Sequence, residues 1–161
     1  MKLVFESRNI NFIRIDKSLL NDYLKMVNDY DHVGKFIGRT EPIEDDNELI
    51  WIQKKLDDND KIYSMIEKKT GDFIGNIEFM NIHDGEAELG ISITKDKQNQ
   101  GFGPEAILRM LEYGKNALKL KRLFLKAFLF NDRAIHVYKK CGFIEYARDE
   151  KEIYMEVINF G

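Results

Sequence analysis

Residues 98–106 read Gln-Asn-Gln-Gly-Phe-Gly-Pro-Glu-Ala, and these types suit one task, the holding of phosphate. Gly101 and Gly103 let the backbone approach an anion, loop N–H groups can point at it, and the dipole of a helix starting there favours negative charge. Such a site needs no cationic side chain. It is not a Walker loop, since no Gly-Lys-Ser/Thr follows the glycines. A dinucleotide fingerprint wants a third glycine where Ala106 stands, an early β-α-β unit, and an acid ending the next strand; here that strand ends in Phe130-Asn131. Two readings stay open on these residues alone: phosphate binding, and a plain loop whose glycines cap a helix.

Other reactive side chains are few. His32, His83 and His136 are scattered without ligand-like spacing, so no metal is expected. Cys141 follows a helical apolar stripe and reads as a small buried hydrophobe, and no acid-histidine-serine arrangement is legible. Glu78 and Glu88 lie on neighbouring candidate strands, where a carboxylate could act as a general base through water; an ordinary edge-strand glutamate is the competing reading. The acidic run Glu41, Glu44, Asp45, Asp46 and Glu48 reads first as a solvated loop with favourable charge at a helix start, and second as an attractor for a cation. Trp51, just after it, reads as core, with pocket lining as the alternative.

The elements that must position these residues follow from periodicity. A strand is expected at 10–15, and Asp16 then caps a helix over 17–29 with Leu20, Tyr23, Leu24 and Val27 on one stripe. A second helix follows the acidic run and carries Leu49, Ile52 and Leu56. Strands are expected at 62–66, 73–82 and 86–94, the last two joined by a hairpin with Asp84-Gly85 at its turn. The glycine loop leads into a helix over 104–118, with Ile107, Met110, Leu111, Gly114 and Leu118 facing inward. A strand at 122–130, a helix at 132–141 ended by Gly142, and strands at 143–147 and 151–158 complete the chain. Antiparallel strands come first, and the β-α-β unit in the second half requires parallel pairing.

At 161 residues, with 43% hydrophobic and 33% charged residues, the composition is that of one globular domain. Lys and Arg number 25 against 28 Asp and Glu, a balance of −3 that argues against nucleic acid as the partner. No run approaches the roughly 18 apolar residues that span a bilayer, no signal-peptide core is present, and a single cysteine suits a reducing compartment. A cytoplasmic protein without a membrane partner is expected.

Gln98-x-x-Gly101-x-Gly103 resembles the pyrophosphate-binding motif of GNAT acetyltransferases, and Glu105-Ala106 also recurs there. About 40 residues on, Asn131-x-x-Ala134-x-x-x-Tyr138-x-x-x-Gly142-Phe143 is similar to the family's second signature. The resemblance implies one N-acetyltransferase domain over 1–161, of mixed α+β class. Its central, mostly antiparallel sheet would have about seven strands with flanking helices. Length and closing pattern look closest to the branch of ribosomal-protein N-terminal acetyltransferases, although that branch tends to carry Ser where Ala134 stands.

By the same resemblance, acetyl-CoA is the co-substrate. Ser92, Ile93 and Thr94 would hold its pantetheine arm like an added strand. Gln98, Gln100, Gly101, Phe102 and Gly103 would surround the pyrophosphate, and Pro104 would withhold one N–H from it. Asn131 would bond the arm or cap its helix. Tyr138 occupies the general-acid position, with core packing as the alternative; Glu88, and after it Glu78, is the candidate base. The implied reaction is direct acetyl transfer, in a ternary complex, to the primary amine of a peptide N-terminus or a small molecule. An aminoglycoside or polyamine acceptor, or a non-catalytic acyl-CoA-binding module, stands as the alternative, and a homodimer is compatible with either. A lysine-like amine costs roughly 4–5 kcal/mol to neutralise at pH 7, an α-amine only about 1, so a weakly placed base suits an α-amine.

Overall fold

The computed structural model describes residues 1–158. Its strands are β1 (Leu3–Glu6), β2 (Ile10–Arg14), β3 (Lys61–Glu67), β4 (Phe73–His83), β5 (Glu86–Ile93), β6 (Arg122–Phe128), β7 (Ile144–Arg148) and β8 (Glu152–Ile158). Its α-helices are α1 (Leu20–Val27), α2 (Asp45–Asp57), α3 (Phe102–Leu118) and α4 (Asp132–Lys140). The strands form one sheet in the order β1-β2-β3-β4-β5-β6-β8-β7. Eight strands stand where about seven were expected. The extra one is β1, a four-residue edge strand with only Phe5 buried, so it carries no alternating pattern to read.

Most of the sheet follows the expected turns. Asp84 and Gly85 have φ of 49° and 79°, the mirror-image turn that matches strand twist and closes the β4–β5 hairpin. β5 and β6 pair in parallel, Glu86–Glu88 against Arg122–Phe124, as the crossover through α3 demands. The first helix is shorter than its apolar stripe: Asp16 caps a 3-10 turn over Lys17–Leu19, and α1 proper ends at Val27.

Two compact units share β4 and β5. The first comprises Met1–Glu78 and Ile91–Phe102; the second comprises Phe79–Gly90 and the chain from Gly103 onward. In the first, Ile13, Ile15, Leu19, Tyr23, Met26, Ile52, Ile62 and Phe73 pack together, with Trp51 against their edge. In the second, Ala106, Ile107, Met110 and Leu111 of α3 are buried along with Leu123, Leu125, Phe143, Ile153 and Met155. Gly114 is required there by packing, since a Cβ would stand 2.9 Å from Phe79 Cζ.

Candidate active site

In the first unit, β4 presses closely on the end of β5. A Cβ at Gly75 would lie 1.9 Å from the Ser92 carbonyl oxygen, so only glycine permits this approach, and the Thr94 N–H donates to Ile74 O at 2.9 Å. After β5 a 3-10 turn, Lys95–Lys97, begins the glycine loop. Lys97 Nζ donates to Glu67 Oε1 at 2.7 Å and Asp72 Oδ2 at 2.9 Å, tying the loop base to the β3–β4 turn. These bonds hold both carboxyls below their usual range and the ammonium above its own.

Gln98 is tied to the backbone around it. Its Nε2 donates to Ile93 O at 2.8 Å and His32 O at 3.0 Å, so the side chain fastens the loop to the strand end. Gln100 Nε2 likewise donates to Asp96 O, at 2.6 Å. Asn99 and Gly101 adopt left-handed φ of 61° and 87°. The N–H groups of Asn99, Gln100 and Gly101 have no acceptor among the described residues. A Cβ on Gly101 would meet nothing within 4 Å, whereas the Phe102 side chain is buried and offers only backbone. α3 starts at Phe102, two residues earlier than expected, which puts Pro104 in the first turn, where a missing N–H breaks no helical bond. Free amides around a left-handed turn at a helix start fit a diphosphate.

In the second unit, Asn131 Oδ1 accepts from the Ala134 N–H at 3.4 Å, a long N-cap bond that leaves the Asn131 amide nitrogen free of that role. Tyr138, on α4, is 9% exposed, with its ring 6.1 Å from that of Phe143. Burial pushes its phenol up to about 12. Its hydroxyl has no partner among the described residues, yet no buried side-chain oxygen there lacks one. The hydroxyl therefore reaches solvent at the end of a ring set in the core. Glu88 Oε1 accepts from Asn81 Nδ2 at 3.1 Å, which leaves its second oxygen free of that bond. Glu78, in the first unit, lies 3.6 Å from Lys55 Nζ.

Glu48 belongs to the acidic run expected to be solvated, but it is 4% exposed. Burial raises its carboxyl, opposed by Arg39, and no hydrogen bond or ion pair satisfies it among the described residues. Its signal was available: Glu48 and Ile52 stand four apart on one helix face, and Ile52 is fully buried. Its acidic neighbours are exposed as expected. Trp51 stacks edge-on against Tyr23 at 6.3 Å, the core role. Among the described residues no group of His, Cys, Asp or Glu could hold a metal ion, and no helix is long and apolar enough to cross a membrane.

Residues 10–144 match the profile of the acetyltransferase (GNAT) domain. The chain belongs to the GNAT acetyltransferase family. The spermidine N(1)-acetyltransferase of Vibrio cholerae serotype O1 is 30% identical over 118 residues, 71% of this chain and 68% of that enzyme. The corresponding Escherichia coli K12 enzyme is 34% identical over 67 residues, 42% of this chain and 36% of its own. The L-amino acid N-acetyltransferase AaaT of the same strain is 30% identical over 95 residues, 56% and 59% of the two chains. In fold, a GNAT acetyltransferase from Bacillus anthracis superposes with a TM-score of 0.87 at 18% identity, covering 99% of both chains. The Vibrio cholerae spermidine N-acetyltransferase solved with CoA and spermine gives 0.85 at 20%, covering 95% and 97%. This GNAT protein is an acetyl-CoA-dependent N-acetyltransferase, and its acceptor is an amine.

Proposed function

We propose that this acetyltransferase works in the cytoplasm on the primary amine of a small cationic molecule. The observation that carries the reading is Glu48: the residue is 4% exposed, and its carboxylate has no hydrogen bond or ion pair among the described residues. Since no buried side-chain oxygen there lacks a partner, that carboxylate opens to solvent, where it attracts an ammonium group. The exposed acids Glu41, Glu44, Asp45 and Asp46 at the same helix start add to the local negative field. Relatives named for spermidine and for amino acids support small amines over ribosomal-protein N-termini, to which the sequence resemblance pointed.

In this reading the free amides of Asn99 to Gly101 bind the diphosphate of acetyl-CoA, and the backbone of Ser92, Ile93 and Thr94 takes the pantetheine arm. Gln98 serves by fixing that loop to the strand. The amine must be neutral to attack the thioester carbon. Glu88 takes its proton through water, because Lys55 already claims Glu78. The C–S bond then breaks, and Tyr138 delivers its phenolic proton to the departing thiolate. The whole of 1–161 acts as one catalytic domain. Because a Vibrio cholerae relative is described as dodecameric, self-association is part of the proposal and is read out by light scattering.

The test is a thiol-release assay with acetyl-CoA against spermidine, cadaverine, lysine, an aminoglycoside and an N-terminal peptide. Release with the cationic small molecules is expected. Acetyl-CoA binding with no release from any amine would instead mark a non-catalytic acyl-CoA module.

A further inference from the structure

Beneath α1 and α2 the buried polar groups of the first unit form a chain with a fixed direction. The Asp16 N–H donates to the Tyr23 hydroxyl oxygen at 3.2 Å, the Tyr23 and Ser64 hydroxyls bond each other, and Ser64 Oγ donates to Asn76 Oδ1 at 2.8 Å. Ser64 has one proton. Given to Asn76, it leaves the Ser64 oxygen to receive the Tyr23 proton, while the Tyr23 oxygen receives the Asp16 amide. Every hydroxyl proton is then used. If the Asn76 carboxamide were turned over, Ser64 would donate to Tyr23, whose own proton would have no acceptor among the described residues. Tyr23 and Ser64 are both 0% exposed, where a stranded proton is most costly. The chain therefore sets Oδ1 inward and the NH2 group outward.

That NH2 group has no acceptor among the described residues, and no buried side-chain nitrogen there lacks a partner, so it opens to solvent. Asn76 stands one residue past Gly75, whose backbone lies against Ser92 and Ile93, and two residues before Glu78 on the same strand face. A rigid hydrogen-bond donor is thus held beside the strand assigned to the acyl donor.

We propose that Asn76 is a specificity-determining residue that donates a hydrogen bond to an oxygen of the acceptor, so that the preferred amine also bears a carbonyl, carboxylate or hydroxyl group. The inference rests on the amine-acetylation reading above and narrows it. An ammonium group only donates and offers nothing to an NH2 group. An all-nitrogen polyamine leaves this donor unpaired once it displaces water, whereas an oxygen-bearing amine satisfies it.

Lysinamide and cadaverine share a carbon chain and differ by one carboxamide, so their kcat/KM ratio isolates the contact. About tenfold preference for lysinamide is expected, the worth of one hydrogen bond. Asn76→Asp keeps an oxygen for Ser64 and replaces the outward donor with an acceptor. It is expected to abolish or invert the preference while acetyl-CoA affinity and Tm stay near the parent values. If that variant does not fold, Ser64→Ala frees the carboxamide to turn and lowers the ratio several-fold. A parent enzyme that turns over cadaverine as well as lysinamide, or a ratio unchanged in the variants, overturns the role of Asn76 and leaves the acetyltransferase reading standing. Acetyl-CoA binding with turnover of neither amine removes both.

Discussion

At the residue scale, Tyr138 and Glu48 each separate chemistry from packing. The Tyr138 ring fills core space, but its hydroxyl bonds to nothing among the described residues. Tyr138→Phe is therefore expected to leave Tm and acetyl-CoA affinity unchanged while kcat falls by about two to three orders of magnitude; an unchanged kcat would remove the general-acid role. Because burial holds the phenol near about 12, its ionisation produces no alkaline fall in kcat below about pH 11. Glu48 works in the opposite sense. Its folded pKa lies above the unfolded value, so the fold favours the protonated form. The penalty is absent below the unfolded value, near about 4.3, and grows as pH rises through the folded one. Glu48→Gln should raise Tm at neutral pH, with the gain vanishing as pH falls to about 4, and should raise KM for the amine. Melting curves across pH and steady-state kinetics check both signs.

At the element scale, the turn before α3 joins conformation to the diphosphate binding proposed for it. Gly101 has a left-handed φ of 87°, and its missing side chain would project into open space. Gly101→Ala tests conformation alone and is expected to lower stability by about 1 kcal/mol, with a modest loss of acetyl-CoA affinity. Gly101→Glu adds bulk and charge against phosphate and is expected to abolish acetyl-CoA binding by calorimetry with a Tm close to that of the alanine variant. Normal affinity in the glutamate variant would move the diphosphate elsewhere. This element was legible because each part of it is local: a strand, two glycines and a helix start. The β4–β5 hairpin was legible for the same reason, through Asp84-Gly85. β1 was not, since four residues at a sheet edge with one buried side chain have no period.

At the scale of the whole molecule, the net charge of −3 and the acids at the start of α2 give long-range attraction for a cation. This attraction is screened over about 8–10 Å at physiological salt. Raising ionic strength from about 0.02 to 0.3 M should increase KM for a doubly charged amine several-fold, with a smaller change for a singly charged one. Equal changes for both would assign recognition to short contacts such as Glu48 alone.

What the sequence determined by itself were the family, the donor and the glycine loop between β5 and α3, because two signatures, a turn dipeptide and apolar periods are all written in neighbouring residues. Tertiary structure decided how the polar side chains are used. Gln98 turns to the carbonyls of Ile93 and His32, Glu48 is largely buried with its carboxylate unpaired, and Tyr23, Ser64 and Asn76 join across separations of 41 and 12 positions. A side chain's choice of partner depends on which groups the packed elements bring within about 3 Å, and no linear pattern encodes that distance.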